Sequence, residues 1–195
     1  MKEKLKKIPP LKYIKIFHNF IKNKYSIFKK IKLLINFFSD YNKYKKLDKN
    51  SNFYLKTEYL YPRIYDKTAE TPIDPVYFYQ NTWCAKKIFE TKPDKHYDIG
   101  SQAQLIGIIS QFIPTIMVDI RPLSISLNNL FFIKGSILKL PFKDEEINSL
   151  SSICVIEHIG LGRYGDTLDS FGSEKAAKEL ARVLKKGCSL YISAP

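Results

Sequence analysis

The chain has 195 residues, 45% of them hydrophobic, with 13 Tyr, 13 Phe and a formal net charge of +13. Such a composition excludes a disordered polar chain and leaves room for one α/β domain with an appendage. Three scattered cysteines, Cys84, Cys154 and Cys188, form no C-x-x-C pair, so no metal site is expected and a reducing compartment fits.

The charge is lopsided. Residues 1–50 contain 15 Lys, no Arg and three acids (Glu3, Asp40, Asp48), whereas the other 145 residues carry 17 basic and 16 acidic groups. Lysines interrupt "MKEKLKKIPPLKYIKIF" every few residues, which denies it a secretory h-region. No run approaches the ~20 apolar residues that span a bilayer. A cytoplasmic protein is expected.

Residues 1–50 read as a basic amphipathic helical extension. Ile14, Phe17, Ile21, Tyr25, Phe28, Ile31, Ile35 and Phe38 recur at steps of three and four, one face of a helix with lysines around it. Two readings stay open for residues 14–38. The segment either packs on its own domain or on a partner, or it lies on a membrane surface, which would place the protein peripherally at the inner membrane face. The packing reading stands slightly ahead. Nucleic acid is not expected as a partner, since the segment has no Arg and no reader motif.

Residues 51–92 follow as an irregular aromatic-rich lead-in. "LDKNSN" is a linker, and "YPRIYDKTAETPIDPVYFYQ", with Pro62, Pro72 and Pro75, is expected to be extended. "NTWCAKKIFE" reads as a short helix with Trp83 as a packing anchor.

From residue 93 to 195 strands and helices alternate. "HYDIG", "TIMVDI", "LFFIKG", "SLSSICVIEH" and "CSLYISAP" read as five strands. "SQAQLIGIISQFI" and "SEKAAKELARVLKKG" read as helices, the second capped by Ser173 and stopped by Gly187. Cys154 reads as core inside the fourth strand, and neither His18 nor His96 shows a partner. A parallel sheet follows, with its ligand outside the carboxyl ends of the strands.

That rule puts Asp98, Gly100 and Ser101 at the edge of the first strand and Asp119 at the edge of the second. Asp119 comes 21 residues after Asp98, close to the ~20 expected of a ribose-binding acid. A pyrophosphate would want several glycines and free N–H groups, and Asp98 would repel it. A sulfonium and an ammonium would accept that aspartate, so the turn reads as an S-adenosylmethionine site. A nicotinamide or nucleotide-sugar oxidoreductase is disfavoured on the same ground.

"HYDIGS", "VDIRPL", "LPFKDEEINSLSSICVIEHIGLGRYGD" and "RVLKKGCSLYISAP" together resemble a methyltransferase-like family, the domain-of-unknown-function 268 family, across roughly Tyr61 to Pro195. The resemblance implies a Rossmann-like class I methyltransferase fold, a three-layer α/β sandwich, incomplete at the C-terminus and preceded by the basic helical segment. The chain stops after the fifth strand, where such enzymes continue, and truncation is expected. Cofactor contacts are implied at Asp98, Gly100, Ser101, Asp119, Ile120, Ser136, Ile137 and Glu157, with the alternative that Glu157 simply faces solvent. His158 is the candidate general base, with the alternative that it only orients the following loop. Arg163, Tyr164 and Asp166 are candidate acceptor contacts, with the alternative that Arg163 and Asp166 pair with each other. Arg121 reads as a local salt bridge, with the alternative of a ligand contact. The implied function is S-adenosylmethionine-dependent methyl transfer to a small-molecule or glycan-type acceptor. The alternative is a truncated, inactive methyltransferase-fold protein or a membrane-associated accessory protein.

Overall fold

The computed structural model describes residues 25–47, 56 and 59–194. The chain divides into two compact units, Met1–Pro72 and Ile73–Pro195. In the first, helix α1 spans Ile27–Leu47. The part of the apolar stripe from Ile14 to Ile21 lies outside the described residues, as does His18.

The second unit opens with helix α2, Pro75–Thr91. The extended segment expected here therefore ends sooner, because Asp74 and Pro75 start a helix that takes in "VYFYQ". The Asp74 carboxylate accepts from the backbone N–H of Val76 and Tyr77, and a proline in the first turn forfeits no helical hydrogen bond. Next come β1 (His96–Ile99), α3 (Ala103–Ile109), β2 (Thr115–Asp119), β3 (Leu130–Lys134), β4 (Ile147–Ile153), a 3-10 turn (Ile156–His158), α4 (Gly172–Val183) and β5 (Leu184–Ser193).

All strand pairings are parallel and the order is β3-β2-β1-β4-β5. The sheet grows outward in both directions from β1, the doubly wound order whose switch point lies between β1 and β4. The expected α/β Rossmann-like sandwich is thus the observed architecture. Cys84 and Ile88 of α2 and Leu105, Ile106 and Ile109 of α3 pack one face, together with Met117, Ile153 and Tyr191. Ala176, Leu180 and Val183 of α4 pack the other, over Ile99, Val118, Ile147 and Leu150. These positions recur at helical spacing on α4, where they form one buried stripe.

Three local expectations fail for identifiable reasons. Ser173 does not cap α4: its hydroxyl donates to the Ile156 carbonyl at 2.7 Å and ties the helix to the 3-10 turn instead. Gly187 does not stop α4, which passes straight into β5 at Leu184; the glycine, at φ +78°, sits where the β4–β5 register shifts. Cys154 is not a strand residue. It leaves β4 at φ +54°, half-buried, with its thiol donating to Gln80 Oε1 at 3.0 Å.

Candidate functional site

A cavity of about 500 Å³ opens at the carboxyl ends of β1, β2 and β4. That volume lies within the usual range for a small-molecule site. Its floor is the turn after β1, Gly100 to Ala103, and one side is Asp119 to Leu123 after β2. Gly135 to Leu138 form the opposite side, Ile153 to Val155 follow from β4, and Tyr77, Tyr164 and Asp166 also line the wall.

Of the residues singled out from sequence, Gly100, Ser101, Asp119, Ile120, Ser136, Ile137, Tyr164 and Asp166 meet on this wall. Asp98, Glu157, His158 and Arg163 are not among the wall residues.

Gly100 has φ +71°, and a Cβ there would come 3.2 Å from Val155 Cγ1. Only glycine adopts that angle freely, so the turn can pass close beneath a ligand. Two of its donors are already used. Gly100 N–H donates to the Val118 carbonyl at 2.9 Å, and Ser101 N–H donates to Asp98 Oδ1 at 3.0 Å. With seven residues and no side-chain cap, α3 adds no strong anion cradle behind them.

Asp98 is fully buried beneath the turn and does not face the cavity. Its Oδ2 accepts from Ser101 Oγ at 2.6 Å and from Ser151 Oγ. Ser101 Oγ also accepts from Ile153 N–H at 2.9 Å. Below it lies His96, also fully buried, with Nε2 at 2.9 Å from Ser151 Oγ and Nδ1 at 2.8 Å from Ser149 Oγ. Ser151 gives its proton to Asp98, so its oxygen accepts from His96 Nε2–H. Nδ1 is then left to accept from Ser149. Burial pushes the Asp98 carboxyl up to about 6, against the opposing pull of the serine hydrogen bonds. Burial alone lowers the His96 imidazole to about 3. The imidazole is therefore neutral, and the hydrogen-bond pattern is one that a neutral ring can make.

This chain of five side chains, His96, Ser149, Ser151, Asp98 and Ser101, escaped sequence reasoning because its partners lie on two strands more than 50 residues apart. One signal was present. "INSLSSI" places serines where a central parallel strand normally has aliphatic residues, and buried hydroxyls need partners.

Asp119, at the end of β2, holds Arg121. Its Oδ1 accepts from Arg121 N–H at 2.7 Å and from Nε at 3.3 Å, and its Oδ2 accepts from the guanidinium at 3.3 Å. Arg121 makes the local salt bridge suggested by the sequence, and its guanidinium also lies 4.5 Å from the Tyr164 ring centre. Three of roughly four acceptor directions on the carboxylate are in use. The remaining direction, and those that exposed Arg121 would vacate, are open to hydroxyl donors.

After β4 the 3-10 turn carries Glu157 and His158. Both Glu157 oxygens are buried and accept no hydrogen bond; His158 Nε2 lies 3.6 Å from Oε1. His158 stands edge-on to the Tyr164 ring, and Arg163 reaches its ring nitrogens at 3.2 and 3.4 Å. Asp166 is a clasp inside its own loop, accepting from the N–H of Gly160, Gly162 and Tyr164. Burial would raise its pKa, but these backbone donors outweigh that and lower it. Arg163 and Asp166 therefore hold different groups. Among the described residues, no cluster of His, Cys, Asp and Glu could hold a metal ion.

On the far side, Arg182 of α4 anchors the loop before β4. It donates to Glu179, to Asp144 at 2.7 Å and to the Phe142 carbonyl at 3.0 Å, while Glu179 accepts from Leu140 N–H. This fixes the segment that begins at Ser136 and Ile137 on the cavity wall.

The order of strands and the cavity at the switch point define a doubly wound α/β fold. Residues 141–195 match the model of a family described as "Caenorhabditis protein of unknown function, DUF268". The match takes in the "IEHIGLGRYGD" and "RVLKKGCSLYISAP" stretches; the turn at Gly100 and the Asp119 edge lie upstream of it. No curated protein matches the chain. Among solved structures, it is similar to a candidate sarcosine dimethylglycine methyltransferase from Galdieria sulphuraria, at 19% identity and a TM-score of 0.45, over 60% of this chain and 46% of that one. A candidate S-adenosylmethionine-dependent methyltransferase from Methanococcus maripaludis gives 14% identity and a TM-score of 0.41, over 62% and 57%. The chain thus spans about half the length of these structures.

Proposed function

We propose that the cavity binds S-adenosylmethionine and that the protein is a methyltransferase-like α/β protein acting on a small-molecule or glycan-type acceptor. One observation carries the reading. The switch-point cavity has an acid, Asp119, at the end of β2, above a glycine turn whose N–H groups at Gly100 and Ser101 are satisfied internally. A ligand there must offer hydroxyl donors to Asp119 and need no phosphate cradle. This describes an S-adenosyl nucleoside better than a dinucleotide.

The residues fit that group piece by piece. Asp119 would accept from the ribose hydroxyls, Ile120 and Ile137 would flank the base, and Ser136 would offer it a hydroxyl. Gly100 would let the chain pass beneath. When bound, the cofactor supplies an electrophilic methyl carbon whose bond electrons stay with sulfur. The protein's task is then to hold an acceptor in line and to take its proton. Tyr164 offers a face for the acceptor, and His158 behind it is the candidate proton acceptor.

Isothermal titration of the full chain with S-adenosylmethionine and S-adenosylhomocysteine tests the reading, with NAD as control. Both S-adenosyl ligands bind, NAD does not, and Asp119→Ala weakens binding at least about tenfold, as expected for losing charged hydrogen bonds of ~1.5–3 kcal/mol. A folded chain that binds neither S-adenosyl ligand overturns it.

A second reading, a ligand-binding domain without transferase activity, is favoured by the placement of Glu157 and His158 off the wall. Binding without methyl transfer to any of a panel of glycan and small-molecule acceptors would select it.

A further inference from the structure

Helix α1, in the first unit, carries an amphipathic feature of its own. Its residues divide into two apolar faces. Leu33, Leu34, Phe37 and Tyr41 are half-buried, on the same side as buried Lys30. About 100° further round lies a second stripe of Ile27, Phe28, Ile31, Ile35 and Phe38, all exposed. Phe28 is 86% exposed, Ile27 67% and Ile35 63%. Phe28, Ile31, Ile35 and Phe38 belong to the stripe read from the sequence and are uncovered, whereas Tyr25, its other described member, meets the Tyr65 ring at 5.7 Å.

Lysines border this stripe. On a helix of 3.6 residues per turn, Lys32 follows Phe28 by four positions, and Lys45 and Lys46 extend the line of Ile27–Phe38 and of Phe28–Ile35. The helix has six lysines against one acid, Asp40, and residues 1–50 hold 15 against three.

We infer that this face of α1 docks on an anionic lipid surface, its Phe and Ile side chains seated among the headgroups and its lysines beside lipid phosphates and carboxylates. The geometry of an interfacial helix requires both parts, an apolar stripe and a cationic border. Charge complementarity selects the occupant. A second copy would bring five more exposed lysines against five, with only one acid, Asp40, on each helix to offset them. A nucleic acid would match the charge but leave five large apolar side chains in water, and the segment has no Arg to read bases or fork phosphates. No helix among the described residues is long and apolar enough to cross a membrane, so the contact is superficial.

Vesicle co-sedimentation of the full chain tests this, using phosphatidylcholine alone and phosphatidylcholine with phosphatidylserine. The chain binds only the anionic vesicles, and binding falls as salt rises. Replacing Lys32, Lys45 and Lys46 together by Gln weakens partitioning by about a hundredfold, roughly fivefold per lysine. Phe28→Asp with Ile35→Asp weakens it at least about tenfold, since both apolar anchors are lost. Circular dichroism and S-adenosylmethionine titration check that the variants remain folded; the altered side chains are all exposed. Equal binding to neutral vesicles overturns the inference, as does indifference to either variant. Self-association that the Phe28→Asp, Ile35→Asp chain loses would also overturn it, by assigning the face to a second copy.

Discussion

Asp98 and His96 titrate in opposite senses within one buried network, and this gives a sharp test. His96 is neutral in the fold, with its pKa lowered from 6.5 to about 3, so the unfolded chain binds the extra proton. Its contribution to stability is present above pH 6.5 and is lost as the pH falls toward 3. Asp98 does the reverse. Its pKa is raised from 3.8 to about 6, so the folded chain binds the extra proton, and stability is lost as the pH rises through 6. Each effect is worth about 1.4 kcal/mol per pH unit, with opposite sign. Between about pH 6 and pH 4 they nearly cancel, at ~3 kcal/mol each.

Removing one partner should uncover the other. Asp98→Asn keeps an acceptor for Ser101 but no longer takes up a proton. Relative to the parent, it should lose about 3 kcal/mol of stability on going from pH 6 to pH 4. His96→Gln should gain a similar amount relative to the parent over the same interval. Urea unfolding followed by fluorescence suits the measurement, because the single tryptophan, Trp83, packs edge-to-face on Tyr191 in this unit. Subtracting the parent curve removes the exposed carboxylates common to all three chains. Difference curves flat to within about 1 kcal/mol would refute the opposed titrations. Curves of the wrong sign would show that the imidazole, not the carboxyl, holds the proton.

Two further outcomes follow from the cavity wall. Gly100→Ala forces an alanine into φ +71° and brings its Cβ to 3.2 Å from Val155. It should cost about 1–2 kcal/mol in urea unfolding and weaken S-adenosylmethionine binding in titration. Cys154 lines the cavity, whereas Cys84 is buried with its thiol pushed up to about 12, chiefly by desolvation. Iodoacetamide should therefore label Cys154 and spare Cys84, and saturating S-adenosylmethionine should slow Cys154 labelling at least about tenfold, which peptide mass spectrometry would read. Unchanged labelling would place the ligand elsewhere.

Much of this architecture was legible because its signals are local. Alternating runs named five strands, the Asp98–Asp119 interval marked two strand ends, and glycine at position 100 marked the turn after the first strand. What stayed hidden depends on contacts distant in sequence. The depth of Asp98 below the turn is set by Ser151, and the burial of His96 by Ser149, both on a strand some 50 residues later. Ser173 looked like a cap because capping and tethering use the same hydroxyl, and only the nearby Ile156 carbonyl decides between them. The length of α2 was misjudged for a different reason. The prolines were read as breakers, although Asp74–Pro75 is equally a start signal.

The serines of β4 have a consequence for how the sheet assembles. A central strand of valines could slide two residues along its neighbours and still bury hydrocarbon. "INSLSSI" cannot, because Ser149 and Ser151 must meet His96, Ser151 must also meet Asp98, and Ser152 must reach the Ile99 carbonyl at 3.0 Å. A slipped strand would strand an imidazole, a carboxylate and three hydroxyls in a dry interior, at roughly 1–3 kcal/mol for each group left unpaired. The hydroxyls act as a key cut for one alignment, and that alignment sets the turn at Gly100 against Val155 and brings the cavity wall together.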